Sequence, residues 1–168
     1  MKKCLCLTVL AVMLGSILSS CRGDRTPAAP AGPIAKPKGV ITKSYSVRGV
    51  RYRPINDMRQ ALQYTEEGEA SFYNQDGTRS ASGEILKAGT LYAAHRTLPM
   101  PCTVRVTNLR NGKSCEARVI DRGPFHRRRI IDLSHAVGRS IGMNPYSVGR
   151  VKVEVISIGK GKDKISNN

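Results

Sequence analysis

The fold of this chain is decided by residues 68–84, GEASFYNQDGTRSASGE, and by two later stretches, AAHRTLP at 93–99 and VRVTNLRNGKSCEARVIDRGPF at 104–125. Apolar and polar residues alternate through these stretches and glycine or proline interrupts them, which is typical of short β-strands joined by turns. Glu84, His95 and Asp121 fall at the ends of the predicted strands. Because titratable side chains at the ends of rigid elements are typical of a functional site, the sequence predicts one here.

A hairpin is predicted around Asn111-Gly112, the strongest turn signal in the chain. Apolar residues alternate with polar ones on both sides of it, over 103–108 and 114–120. A two-residue turn would pair Arg110 with Lys113, Val104 with Val119 and Val106 with Ala117. This register places both apolar faces on the same side of the sheet, as a shared core requires.

The same register bears on Cys102 and Cys115. It places Cys102 opposite Asp121 and Cys115 opposite Asn108, so about six residues of strand, at about 3.3 Å each, separate the two sulfurs. A disulfide requires Cα atoms within about 7 Å of each other. The geometry therefore favours two small thiols in the core, whereas export to an oxidising compartment would favour the disulfide.

Further elements are predicted on either side of these stretches. Residues 45–52 are interpreted as a short strand interrupted at Gly49, residues 69–73 as another strand, and residues 148–158 as the closing strand. The spacing of Leu133, Ala136, Val137 and Ile141 predicts one short helix over 132–142. Asp132 suits the N-cap of that helix.

The N-terminus has the features of an export signal, with two lysines followed by an apolar run over 5–18 that is too short to span a bilayer comfortably. It ends in Leu18-Ser-Ser-Cys21, which resembles the lipobox of bacterial lipoproteins. We therefore expect a signal peptide over 1–20 and a lipid on Cys21, and the alternative is an ordinary secretory peptide with an incidental cysteine. Residues 21–43 are rich in Pro, Ala, Gly and Lys and predict a disordered tether. The folded domain is expected over 44–158 and a disordered basic tail over 159–168.

Charge and motifs narrow the classes of function. The chain of 168 residues has a formal net charge of +16, and residues 22–65 hold nine of its 28 basic side chains. Such a balance fits an anionic membrane surface or polymer, while the scarcity of aromatic residues and the absence of a recognition motif argue against nucleic acid. The sequence contains no nucleotide-binding loop and no zinc-ligand spacing, so we expect neither a metal nor a cofactor. Catalysis by carboxylate side chains is the candidate chemistry that these exclusions leave.

The motifs GEASFY, TRSASGE, AAHRTLP, VRVTNLRNGKS, DRGPF and IDLS occur in this order between Tyr45 and Ile156. As an ordered set they resemble the RlpA family of bacterial lipoproteins, the septal lytic transglycosylases. The resemblance implies a mainly β fold, a six-stranded double-psi β-barrel with one short helix, after a disordered lipidated N-terminal arm. It also implies an enzyme that cleaves peptidoglycan glycan strands, in particular strands without stem peptides, to 1,6-anhydromuramyl ends.

The resemblance assigns the acid of this reaction to Asp121 and makes Glu84 and His95 its essential neighbours. A general acid must be protonated, and arginines near Asp121 would oppose this. We therefore expect Glu84 to share a groove with Asp121 and to titrate with it as a coupled pair. His95 would orient one of the two carboxyls or contact the sugar.

Four further residues are candidates for substrate binding. Tyr73 is a candidate platform for a sugar ring, and Ser82 and Arg122 flank the predicted catalytic residues. In expansin-like relatives of this barrel an aspartate before Leu-Ser lies in the groove, so the resemblance implies that Asp132 can cap the helix, bind substrate, or both.

Two other functions stay open at this point. The first is a non-catalytic module that binds peptidoglycan, and the second is a structural lipoprotein that associates with divisome proteins. By the same resemblance the protein is expected in the bacterial cell envelope, as a monomer anchored through Cys21 in the outer membrane and facing the periplasm. The glycan-binding SPOR domain that follows this barrel in many RlpA-like proteins is not found in this sequence.

Overall fold

The computed structural model describes residues 32–73, 75–144 and 147–167. Within these ranges the elements are β1 Tyr45–Val47, β2 Val50–Tyr52, α1 Met58–Leu62, β3 Thr65–Phe72, β4 Tyr92–His95, β5 Cys102–Asn108, β6 Ser114–Asp121, β7 Arg129–Leu133, α2 His135–Ser140, β8 Gly149–Ile158, a 3₁₀ turn at Gly161–Asp163, and β9 Ile165–Ser166. The predictions for the signal peptide over 1–20 and for Cys21 lie outside the described residues.

Six strands close into a barrel. They follow the order β3-β7-β4-β6-β5-β8, and β8 returns to pair with β3. Two of the pairs, β3 with β7 and β4 with β6, are parallel, and the others are antiparallel. The prediction of a mainly β fold built on a six-stranded barrel is confirmed.

The core fills the barrel from alternate positions of its strands. Val104 and Val106 of β5 meet Val153 and Val155 of β8, and each of these side chains is buried. Full burial of a valine side chain contributes roughly 1.5–3 kcal/mol. The alternating apolar residues of the strands therefore form a continuous core. The polar residues at the strand ends lie outside this core and are available for a site.

The β5–β6 hairpin has a longer loop than predicted. Val104 pairs with Ala117 and Val106 with Cys115, so the predicted register is wrong by two residues along β6. The turn is a four-residue loop because Asn108 N donates to Lys113 O over 2.9 Å. A shift of two residues keeps every side chain on its predicted face.

Both cysteines of the described chain are free. Cys102 is 1% exposed and pairs with Val119, whereas Cys115 pairs with Val106 and is only partly buried. Burial raises the pKa of the Cys102 thiol to about 12, so this thiol stays protonated and unreactive at neutral pH. The preference for two thiols over a disulfide is confirmed, but only Cys102 is fully buried in the core, and Cys115 packs at its edge.

The helices are short and start at side-chain caps. Asp57 Oδ1 accepts from Arg59 N over 2.8 Å and so starts α1. The cap of α2 is Ser134, whose Oγ accepts from Val137 N over 3.3 Å. The prediction of Asp132 as a helix cap is wrong, because Asp132 lies in β7, where it pairs with Ser71 of β3.

Ordered structure extends beyond the predicted limits of 44–158. Upstream, Val40 is 6% exposed in the core, and Ile41 N donates to Met100 O over 2.6 Å. Downstream, β9 pairs with the end of β8, so the segment predicted as a disordered tail is structured over most of its length. Apolar side chains explain both corrections, because Val40 and Ile165 pack against the barrel core.

Among residues 32–73, 75–144 and 147–167, no helix has the length and apolar character that crossing a membrane requires.

Candidate active site

One groove of about 700 Å³ opens where β6 and β7 present polar side chains beside Ala94 of β4. Its lining includes two carboxylates, four arginines, one histidine and three aromatic rings, which are Asp121, Asp132, Arg48, Arg79, Arg122, Arg129, His126, Tyr45, Tyr73 and Phe125. Carboxylates beside exposed rings suit the binding and cleavage of a sugar polymer. The groove is therefore the candidate active site.

Asp121 is the last residue of β6 and is held by the backbone. Its Oδ1 accepts from Ala81 N and from Arg122 N, each over 2.8 Å. Neither of these two bonds uses the second carboxylate oxygen, Oδ2. Two rigid donors on one oxygen fix the orientation of the carboxyl group, and the other oxygen can face a ligand.

Asp132 is the second carboxylate of the groove and is 9% exposed. Its Oδ1 accepts from Ser71 Oγ over 2.6 Å and lies 3.5 Å from Arg129 Nη1. Burial raises the pKa of Asp132, while the Ser71 hydrogen bond and the Arg129 charge oppose that rise. The sequence-based alternative that placed Asp132 beside the substrate fits this position.

Tyr73 follows β3 and forms part of the groove wall. Its ring packs edge-on against Tyr92 with centroids 5.5 Å apart. Its hydroxyl is buried within reach of the Asp121 carboxylate, although no described residue forms a hydrogen bond of standard geometry with it. Burial, and then the negative charge of Asp121, raise the pKa of Tyr73, so the hydroxyl is a neutral donor near that carboxylate.

An aromatic cluster forms one rim of the groove. Tyr45 of β1 and Tyr52 of β2 stack with centroids 5.2 Å apart, and Phe125 lies 5.5 Å from Tyr52. Phe125 keeps 41% of its surface exposed. Sequence reasoning interpreted residues 45–52 only as an interrupted short strand, although two tyrosines paired across a turn were a usable signal for a sugar-binding rim.

The guanidinium of Arg122 is engaged by the scaffold. Its Nη1 donates to Leu98 O over 2.6 Å and to His95 O over 3.2 Å, and its Nη2 donates to Ile41 O over 3.4 Å. The same group lies 5.3 Å from the centroid of the Tyr45 ring. Burial lowers the pKa of Arg122. The side chain borders the groove, but its donors bind backbone carbonyls, so its main contribution is to hold the 95–98 segment and Ile41 together.

His95 is buried and turned away from the groove. It is 2% exposed, and its Nδ1 accepts from Thr97 N over 3.1 Å and from Leu98 N over 3.0 Å. Because Nδ1 accepts, Nε2 carries the proton toward Tyr64 Oη, 2.9 Å away. Burial, with help from Arg96 and Arg122, lowers the pKa of His95 to about 3. The expectation that His95 orients a catalytic carboxyl or contacts the sugar is wrong for this geometry.

Glu84 lies outside the groove. Its two carboxylate oxygens accept from Arg118 over 3.0 and 3.1 Å, and Oε1 is 2.5 Å from Lys160 Nζ. Although partial burial raises the pKa of Glu84, the hydrogen bonds and charges of Lys160 and Arg118 lower it overall. The expected coupled pair of Glu84 and Asp121 is not formed, because the charge partners of Glu84 are these two cations.

Ser82 lies beside the groove without lining it. Its backbone N donates to Ile120 O over 3.0 Å, and its Oγ is 3.0 Å from Ser80 Oγ. Sequence reasoning did not name Arg79 or Arg129 as groove residues, although Arg79 lies within the TRSASGE motif. No group of three His, Cys, Asp or Glu side chains suited to a metal occurs in the part of the chain that the structure describes.

Comparisons with known proteins agree with this architecture. The DPBB_1 family model, described as lytic transglycolase, matches residues 65–155. An endolytic peptidoglycan transglycosylase RlpA of Vibrio cholerae is 45% identical over 120 residues, which cover 70% of this chain and 44% of that protein. The RlpA protein of Pseudomonas aeruginosa strain PAO1 is 44% identical over 126 residues, covering 74% of this chain and 36% of that protein. The chain thus spans about half the length, or less, of the curated relatives that it matches.

Two solved structures align with this chain at lower sequence identity. A Streptomyces papain inhibitor aligns with a TM-score of 0.45 and 22% identity, covering 56% of this chain and 96% of the other. The apo expansin of Clavibacter michiganensis aligns with a TM-score of 0.46 and 19% identity, covering 58% and 53%. The match of the family model over more than half of the chain decides membership. This chain belongs to the RlpA family of double-psi β-barrel proteins.

Proposed function

We propose that this protein is a lytic transglycosylase that cleaves the glycan strands of peptidoglycan, with Asp121 as its acid and base. The observation that carries the proposal is the position of Asp121 in an open groove, where two backbone donors at 2.8 Å fix one of its oxygens. The names of its RlpA relatives support the same reaction.

The proposed reaction needs one residue that gives and then takes a proton. Asp121 protonates the glycosidic oxygen, and the bond from that oxygen to the anomeric carbon breaks. The 6-hydroxyl of the same sugar attacks the anomeric carbon, and Asp121 receives the hydroxyl proton. The product is a 1,6-anhydromuramyl end, and no water has to be placed by a second carboxylate.

Other groove residues would bind the strand. Tyr45, Tyr73 and Phe125 offer ring faces or edges to sugars, and the Asp132 carboxyl can accept from a sugar hydroxyl. When ionised, Asp132 also favours positive charge at the anomeric carbon. The arginines that line the groove favour an anionic strand, such as one whose lactyl carboxylates are free because the stem peptides have been removed.

Glu84 and His95 enter the proposal as supports of the acid. His95 presents its carbonyl oxygen to Arg122, whose backbone N binds Asp121. Glu84 lies on the loop that supplies Ala81 N to the same carboxylate. Neither side chain reaches the groove, so we assign them no proton transfer.

The test is to incubate the purified protein with peptide-free glycan strands and with intact sacculi, and to search the products for 1,6-anhydro ends by mass spectrometry. Asp121→Asn should form none, and Asp132→Asn should form fewer with weaker strand binding. Asn111→Ser, on a hairpin loop outside the groove, serves as control. Reducing ends would indicate a hydrolase. If the parent protein itself binds strands without cleaving them, and the aspartate variants bind equally well, the protein is a non-catalytic wall-binding module.

We also propose that Cys21 carries a lipid and anchors the protein in the bacterial outer membrane, facing the periplasm. This rests on the lipobox-like residues 18–21. Labelling with an alkynyl palmitate should mark the protein and fail in Cys21→Ser. A monomeric state and association with divisome proteins belong to the same proposal, and cross-linking in cells followed by size analysis tests both.

A further inference from the structure

Glu84 lies on an ordered loop, which we call the 77–86 loop. Its two arms are joined by backbone hydrogen bonds from Leu86 N to Thr78 O and from Gly77 N to Leu86 O, each 2.9 Å long. Leu86 is 1% exposed and packs in a small core cluster with Tyr92 and Ile120. The base of the loop is therefore fixed to the barrel.

The tip of the 77–86 loop docks on the end of β6. Ala81 N donates to Asp121 Oδ1 over 2.8 Å, and Ser82 N donates to Ile120 O over 3.0 Å. Ser80 N donates to Glu84 O over 2.8 Å, which closes the tip on itself. The donor that orients Asp121 thus depends on the position of this tip.

The side chain of Glu84 makes a third attachment between the loop and β6. It forms a bidentate pair with Arg118, two residues before Ile120 on the same strand, and an ion pair with Lys160 from the segment that follows β8. The Glu84 side chain is 28% exposed, so solvent screens these ion pairs only in part. A bidentate arginine–carboxylate pair fixes geometry as well as charge.

We propose that Glu84, Arg118 and Lys160 are positioning residues, whose ion cluster holds the 77–86 loop on β6 so that Ala81 N–H keeps Asp121 in its reactive orientation. This inference rests on the proposed transglycosylase function. The cluster touches neither the substrate nor the bond that breaks. Its effect passes through one backbone hydrogen bond, and a displacement of about 1 Å at a reacting group can cost on the order of 10²-fold in rate.

The experiment compares the purified parent protein with Glu84→Gln, with Arg118→Gln, and with the inverted cluster E84R/R118E/K160E. The matched control is Glu67→Gln, which removes an exposed carboxylate 3.9 Å from Arg150 elsewhere on the barrel. Two readouts are used: kcat and KM for the formation of anhydro ends across pH, and hydrogen exchange of the Ala81 amide by NMR.

Glu84→Gln and Arg118→Gln should each lower kcat by roughly ten-fold or more, with little change in KM, because the acid is misplaced while the strand still binds. The pH profile should keep its shape, since neither residue transfers a proton. The Ala81 amide should exchange faster in both variants. The inverted cluster should recover most of the lost kcat, and Glu67→Gln should match the parent.

Several results would overturn the inference. If Arg118→Gln keeps full kcat while Glu84→Gln loses it, Glu84 acts by itself. The same holds if Glu84→Gln removes one limb of the pH profile. If the parent forms no anhydro ends, the proposed function fails. The exchange rate of the Ala81 amide then decides by itself whether the ion cluster holds the loop in place. If the Ala81 amide is equally protected from hydrogen exchange in the parent and in Glu84→Gln, the cluster does not position the loop.

Discussion

Ser71 Oγ lies 2.6 Å from Asp132 Oδ1, and the two residues are direct partners in the parallel pair of β3 and β7. Strand pairing therefore builds a hydrogen-bond donor into the wall of the groove. Arg129 also contacts both side chains. Burial raises the pKa of Asp132, and Ser71 limits this rise by stabilising the ionised carboxylate.

Replacement of Ser71 by alanine should raise the pKa of Asp132 further, because the hydrogen bond that opposes the effect of burial is lost. Carboxyl-detected NMR of the folded protein can follow the titration of Asp132 directly. The matched control is Ser140→Ala, whose Oγ donates to Ala136 O on the surface of α2. An unchanged titration of Asp132 in Ser71→Ala would show that the hydrogen bond does not tune this group.

His95 should make the stability of the protein depend on pH. Its pKa is lowered to about 3 in the folded state by burial, whereas an unfolded histidine titrates near about 6.5. Between these values the unfolded chain binds more protons, so the free energy of unfolding should fall by up to about 1.4 kcal/mol per unit of pH as the pH drops below about 6.5. Above that range His95 is neutral in both the folded and the unfolded state, so its contribution to the free energy of unfolding no longer changes with pH. Chemical denaturation at a series of pH values measures it.

The variant His95→Gln is the control for this dependence. It removes the titrating ring, so its free energy of unfolding should be lower at pH 7 but should change less between pH 6.5 and pH 4. Parallel curves for the parent and the variant would mean that His95 does not cause the acid sensitivity.

Local sequence patterns predicted most of the strands. Alternation with period two survives an error in the loop, which is why Val104 and Val106 face the core although the predicted register was wrong by two residues. The strand β7 was not predicted, because its formation depends on distant pairing and not on a local pattern. Its partners β3 and β4 are distant in sequence, and the spacing of Leu133 and Val137 also fits a helix, so no local signal separates the two readings.

The position of a site residue could be predicted where it is set by the end of the strand that carries the residue. Asp121 terminates β6 and reaches the groove as expected. Glu84 was misplaced because its partners, Arg118 and Lys160, come from other parts of the chain and no spacing announces them. A sequence likewise does not state whether a histidine such as His95 faces a groove or the core, since that depends on tertiary packing.

Arg122→Lys should destabilise the fold by about 1–3 kcal/mol, because an ammonium group cannot reproduce the forked hydrogen bonds to four backbone carbonyls and leaves some of them without this donor. Thermal or chemical denaturation measures the loss. Arg96→Lys is the matched control, since among the described residues the Arg96 side chain makes one hydrogen bond, 3.4 Å long, to His126 O. Equal stability of Arg122→Lys and the parent would show that charge alone, without the forked geometry, suffices there.

Gly138→Ala tests the packing of α2 against the barrel. In a helix this change usually stabilises by about 0.5–1 kcal/mol. Here the new Cβ would overlap the ring of Phe72, which itself packs edge-on against His135, so we expect a loss of about 1–3 kcal/mol in the free energy of unfolding. Gly32→Ala, where a Cβ meets nothing within 4 Å, should have little effect. If the overlap is the cause, Gly138→Ala should cost nothing further in a Phe72→Ala background, and an undiminished cost there would contradict the packing.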